Sequence, residues 1–146
     1  MSRIDRAVDC FKEGFSCSQA ILSTYAQGSG IDQAAALRIS APFGGGMARM
    51  GATCGAVTGA FMVIGLEFSC GQESKEKVYS LVNEFVAEFK SRNRSIICKE
   101  LLGCDISTPE GMKMAHDDKL IATRCPGFVH DAALILEDIL AGKERL

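Results

Sequence analysis

The sequence predicts an all-α protein: one compact, single-domain helical bundle of about six to eight helices spanning residues 1–146. Three observations predict it. Apolar residues recur at three- and four-residue spacing along most of the chain. Capping residues, glycines and prolines punctuate those runs. No run alternates polar and apolar residues for long enough to argue a strand. A chain of 146 residues is about one domain in length, and it buries enough surface to hold a core without disulfides.

Taken in order, residues 3–13 place Ile4, Ala7, Val8 and Phe11 on one side of a first helix, stopped by Gly14. Ser16-Cys17-Ser18-Gln19 has the form of a capping box, in which the serine hydroxyl and the glutamine side chain satisfy each other's backbone amides. It opens a second helix carrying Ala20, Ile21 and Leu22, ended by Gly28-Ser29-Gly30. Asp32 caps a third helix from Ala34 to Ile39, closed by Pro42. Gly44-Gly45-Gly46 reads as a flexible hinge before a Gly/Ala-rich apolar helix over roughly 52–68.

Ser74 caps a long helix reaching about Ser91, with Val78, Leu81, Val82, Phe85 and Phe89 at helical spacing. Ser95 caps a short helix containing Cys98, Leu101 and Leu102, ended by Gly103. Thr108-Pro109 places proline at the first position of the next helix, where its missing N–H costs nothing. Cys125-Pro126 repeats that arrangement before a last helix with Val129, Ala132, Ala133, Leu136, Ile139 and Leu140 on one face, ended by Gly142.

Composition excludes several functions. The formal charge of −2 and the absence of Trp leave neither an electrostatic footprint nor a stacking platform for nucleic acid. No apolar signal core follows Met1-Ser2-Arg3-Ile4-Asp5-Arg6, which predicts a cytoplasmic protein. The uncharged run from Met50 to Leu66 is interrupted by four glycines and reads as a buried core helix rather than a membrane span.

Seven cysteines are the outstanding feature. In a reducing compartment, cysteines in number point to redox chemistry or metal binding more than to structural disulfides. Four fall at predicted helix beginnings: Cys17 after its cap, Cys54 early in the glycine-rich helix, Cys98 three residues after Ser95, and Cys125 at the cap before Pro126. Unpaired amides and the helix dipole favour a thiolate there, and can bring a thiol from about 8.5 to within about 3.5–7.5. Arg92, Arg94 and Lys99 around Cys98, and Arg124 before Cys125, are expected to act in the same direction. Cys10 in mid-helix and Cys70 in a turn read as bystanders, and Cys104 is left open.

The spacings also exclude chemistry. Without a C-x-x-C there is no thioredoxin-type site or zinc ribbon, and without C-x-x-C-H no covalent haem attachment. Gly44-Gly45-Gly46 lacks the Lys-Ser/Thr ending of a phosphate loop. Met112, Met114 and His116 do not share a helix face, and His130 is at most a proton partner for Cys125. Gly51, Gly55 and Gly59, with Ala48, Ala52, Ala56 and Ala60 beside them, predict a smooth face for close backbone packing around Cys54.

Cys17 in its Ser-Cys-Ser-Gln-Ala context, the run from Gly51 to Gly59 that contains Cys-Gly-Ala-x-x-Gly, and the later Cys98 and Cys125 together resemble the redox-active cysteine family named C-GCAxxG-C-C. The resemblance extends over nearly the whole chain. This sequence has Thr53 where the family name writes glycine before the central cysteine, with Gly55 after it. The resemblance implies that Cys17, Cys54, Cys98 and Cys125 are the working residues and points to a transporter association, because genes of the family often lie near transporter genes; it supplies no substrate. Thiol–disulfide exchange or electron transfer through these four, with an unidentified redox partner, is the leading expectation. The alternatives are a zinc or iron–sulfur module with the same four as ligands, and a transporter accessory protein or homodimer built on the glycine face.

Overall fold

The structure, a computed structural model, describes residues 1–144. It is all-helical among those residues, apart from one isolated antiparallel bridge between Thr53 and Ile97. α1 (Arg3–Lys12) begins at Ser2, whose hydroxyl accepts from the Asp5 amide. α2 (Cys17–Tyr25) opens on the predicted capping box, with Ser16 Oγ accepting from the Gln19 amide and Gln19 Oε1 accepting from the Ser16 amide. α3 (Gln33–Ser40) is capped by Asp32 at 2.7 Å and runs into a 3₁₀ turn, Ala41–Phe43, containing Pro42. α4 (Gly55–Phe68), α5 (Lys75–Asn93), α6 (Cys98–Leu102), α7 (Pro109–Asp117) and α8 (Leu120–Glu144) complete the bundle.

α4 is the central helix. Ala56, Val57, Ala60, Val63 and Ile64 have no exposed surface, because α2, α5 and α8 pack around it. α2 makes the most extensive of these contacts, and two glycines set how near it comes. A Cβ on Gly59 would lie 3.0 Å from both the Ser18 carbonyl oxygen and Ile21 Cβ. One on Gly55 would lie 3.0 Å from the Ser18 amide nitrogen and 3.2 Å from Cys17 Cβ. The predicted smooth face is therefore real, but α2 occupies it, and it is not open to a second copy of the chain. Gly51 is not part of it; it stands before the helix and faces Lys99 and Asp105.

Aromatic and polar contacts fix the outer helices. Phe85 meets Phe61 edge-on at 6.2 Å and stacks on Phe89 at 6.0 Å, and Phe89 reaches Phe128 at 6.4 Å, which joins α4, α5 and α8. Arg3 grips Glu137 with two bonds of 3.0 and 2.8 Å, and its guanidinium lies 4.7 Å from the centre of the Tyr25 ring. The Tyr25 hydroxyl donates to Glu137 at 3.0 Å. Burial first, and then the Glu137 carboxylate, push the Tyr25 hydroxyl well above its ordinary titration range, so it remains a donor.

Several predicted boundaries are corrected. Ser74 and Ser95 do not cap α5 and α6. Ser74 Oγ instead accepts from the Cys70 amide, and Ser95 Oγ accepts from the Ile97 amide and donates to Glu100. The last helix runs past Gly142 to Glu144. Cys125 and Pro126 do not start a helix: α8 begins at Leu120 and passes straight through both. An interior proline costs about 3 kcal/mol because it removes one amide and crowds the carbonyl four residues back. Contacts of the preceding turn offset this cost. Leu120 and Ile121 pack against the core, and the Arg124 guanidinium donates to the Leu102 carbonyl at 2.7 Å, closing the end of α6.

Because the α2–α4 contact leaves no room for a methyl group, Gly59→Ala should destabilise the protein by about 1–3 kcal/mol. Urea unfolding followed by circular dichroism measures this, and an unchanged midpoint would show that the two helices can separate freely.

Candidate functional site

Cys17, Cys54, Cys98 and Cys125 are buried and line one cavity of about 690 Å³. Each arrives by a different local device. The capping box sets Cys17 as the first residue of α2, and Ser18 behind it is anchored by donating to the Ser40 carbonyl at 2.8 Å. Cys54 is the residue from which α4 starts. Cys98 is the first residue of α6, tied to the strand-like segment before α4: its amide donates to the Ala52 carbonyl at 2.6 Å, while the Cys54 amide donates to Ile96 at 2.7 Å. These two bonds flank the Thr53–Ile97 bridge and fix Cys54 relative to Cys98 through the backbone alone. Cys125 comes from the interior of α8.

The Gly44-Gly45-Gly46 hinge expected from the sequence is a rigid left-handed turn. Gly45, Gly46, Met47, Ala48 and Arg49 all have φ between 52° and 69°. Left-handed backbone costs a residue with a side chain roughly 1–2 kcal/mol, so three consecutive such residues need external support. It comes from the Arg49 amide donating to Gly44, Gly51 to Gly45 and Ala52 to Gly46. Gly46 also packs where a Cβ would lie 2.6 Å from Cys98 Cβ. The turn thus forms one wall of the cavity and presses on Cys98. The triple glycine was the sequence signal for it; the left-handed Met47, Ala48 and Arg49 gave none.

The thiols are electrically unequal. The neighbouring Cys125 and Cys54 thiols, followed by burial, push Cys17 well above the ordinary thiol range. Cys54 moves the other way. The neighbouring Cys17 thiol lowers it most, burial opposes, and the Ala56 and Val57 amides in the first turn of α4 lower it further. Of the two, Cys54 is therefore the more readily deprotonated. Cys98 is pushed up to about 12, first by burial and then by the proximity of Cys54, Cys125, Cys104 and Asp105.

The expected helix-start activation thus holds for Cys54 and fails for Cys17 and Cys98, where burial and neighbouring thiols outweigh the amides. It does not apply to Cys125, which lies inside a helix. Nor do the predicted cations act. Arg92, Arg94 and Lys99 are exposed, and Arg124 is engaged with the end of α6. His130 is exposed with Nδ1 3.3 Å from Asp131, and is no proton partner for buried Cys125. Cys10 lies beside Ser23 at 3.8 Å, Cys70 is exposed, and Cys104 is half-buried near Cys98. Met112 lines the cavity, but Met114 and His116 are exposed. Among the described residues, no three His, Cys, Asp or Glu side chains are grouped to hold a metal ion.

The fold and the cavity define a helical protein with a cluster of buried, free thiols. Residues 15–139 match the family described as "Putative redox-active protein (C_GCAxxG_C_C)", and the chain belongs to that family. The matched span contains the four cavity cysteines and leaves α1 outside it. No curated protein and no solved structure matches the chain. No helix among the described residues is long and apolar enough to cross a membrane.

The inequality of the thiols is measurable. Alkylation by iodoacetamide over a pH series, read by peptide mass spectrometry, should label Cys54 before Cys17 and Cys98 as pH rises, and Cys98 only as pH approaches about 12. The sign follows from the thiolate being the reactive form: a lowered pKa moves labelling to lower pH, and a raised one delays it.

Proposed function

We propose that the protein is a thiol–disulfide exchange protein in which Cys54 is the attacking thiolate and Cys17 the resolving thiol, with Cys98 and Cys125 completing the cavity wall. The single observation that carries this reading is the placement of two free, buried thiols, Cys17 and Cys54, at the adjoining starts of α2 and α4, with their proximity pushing the first up and pulling the second down, beside a cavity large enough for a small molecule.

The exchange has two steps. Cys54 Sγ attacks one sulfur of a substrate disulfide; that S–S bond breaks, a mixed disulfide forms on Cys54, and one thiolate leaves. The charge on Cys54 is then gone, and with it one cause holding Cys17 protonated. Cys17 passes its proton to the departing thiolate and attacks Cys54 Sγ, which releases the second half of the substrate as a thiolate. Two protein thiols are oxidised to one disulfide, and one substrate disulfide is reduced. The order of events follows from electrostatics: the resolving thiol is restrained until the first bond has formed.

Reduced protein carrying Cys70→Ser, which removes the exposed thiol, should react with dithiodipyridine and finish with a Cys17–Cys54 bridge. Adding Cys17→Ala should stop the reaction at a mixed disulfide on Cys54 and move Cys54 alkylation to higher pH. Adding Cys54→Ser should leave only the slow reaction of protonated thiols. Non-reducing peptide mass spectrometry reads all three, and a Cys54→Ser protein that reacts as fast as its parent would refute the assignment.

A further inference from the structure

The cavity carries a charge pattern that the exchange chemistry does not use. Apart from its thiols, backbone and the side chains of Ser16, Gln19 and Arg49, its lining is apolar, with Phe11, Phe15, Met112 and Phe128 among its walls. Among the described residues, its lining includes no carboxylate and a single cationic side chain, Arg49. Arg49 and Phe15 both line the cavity and are solvent-exposed, so they stand at its mouth.

The guanidinium is held there by the backbone. Arg49 sits in the left-handed turn at φ 65°, with its amide bonded to the Gly44 carbonyl at 3.1 Å. The side-chain stem lies over Gly45, where a Cβ would come within 2.9 Å of Arg49 Cγ. The stem is thereby steered by contact with a strained main chain, and no ion pair among the described residues engages the charged end. Backbone strain kept at the rim of a cavity is characteristic of a binding element, and a planar guanidinium favours carboxylates and other oxyanions.

We propose that the cavity selects organic anions with an apolar body, Arg49 receiving the anionic group at the mouth while the apolar part enters toward the thiols. Resting on the exchange reading above, the substrate is then a small disulfide bearing a carboxylate. Cys54 would attack its sulfur deeper in the cavity, and the two electrons and the proton move as already described. A neutral disulfide lacks the contact at Arg49, and a large protein disulfide does not fit a cavity of about 690 Å³.

The test separates recognition from redox chemistry by using redox-inert probes. Calorimetric titration of the reduced protein with biphenylcarboxylate and with biphenylcarboxamide compares two ligands of one shape that differ in charge. The carboxylate should bind up to about fivefold more tightly, the range expected of an exposed ion pair. Arg49→Gln should abolish that ratio and Arg49→Lys should largely keep it, while carboxamide binding reports in each variant that the cavity is intact. Equal affinities in the unsubstituted protein, or a carboxylate preference that survives Arg49→Gln, would overturn the proposal. The dithiodipyridine reaction reads the exchange assignment on its own: its failure would remove the disulfide from the substrate description and leave the anion preference standing.

Discussion

The close approach of two buried thiols sets the character of this molecule. Cys54 sits in a place from which water is almost wholly excluded, and burial alone would raise its pKa. The neighbouring Cys17 thiol outweighs that effect and lowers it, with the first amides of α4 in support. This requires the start of α2 to lie against the start of α4 at near contact distance. Gly55 and Gly59 permit that approach, and the Ser16–Gln19 capping box and the Ser18–Ser40 bond fix the end of α2 in place. Much of the packing around the central helix can be read as the scaffold for that approach.

The same burial that opposes the lowering of Cys54 raises Cys17 and Cys98. Cys98 has a helix start of its own but no donor thiol directed at it, so desolvation decides, and nearby sulfurs and Asp105 add to the effect. Two cysteines in similar helix positions therefore differ because of their partners. A helix terminus contributes a partial charge that falls off within a turn, and in a dry cavity the nearest donor counts for more.

The fold was readable from the sequence because its local signals agree with the tertiary packing: the box at Ser16, the cap at Asp32, the Thr108-Pro109 start and the phenylalanine stripe of α5 all appear as expected. The clustering of Cys17, Cys54, Cys98 and Cys125 was anticipated through helix starts, which is right for three and wrong for Cys125. There a local preference, proline at a first helical turn, yielded to packing by Leu120, Ile121 and Arg124. The serines at 74 and 95 misled for a related reason: their hydroxyls serve the turns before the helices. Arg49 could not be recognised at all, since nothing in Met47-Ala48-Arg49 announces a reversed helical hand.

That reversed hand has a consequence for how the protein can diversify. The turn is bonded to its surroundings through main-chain atoms, with the Gly51 and Ala52 carbonyls accepting from Lys99 and Cys98. Side chains at 47, 48 and 49 are therefore spectators of their own support. Selection could rewrite these three positions, and with them what the entrance admits, without disturbing the sulfurs beneath. Replacement of Gly46, by contrast, would be transmitted directly to Cys98. Tolerance and constraint thus alternate over a few neighbouring residues.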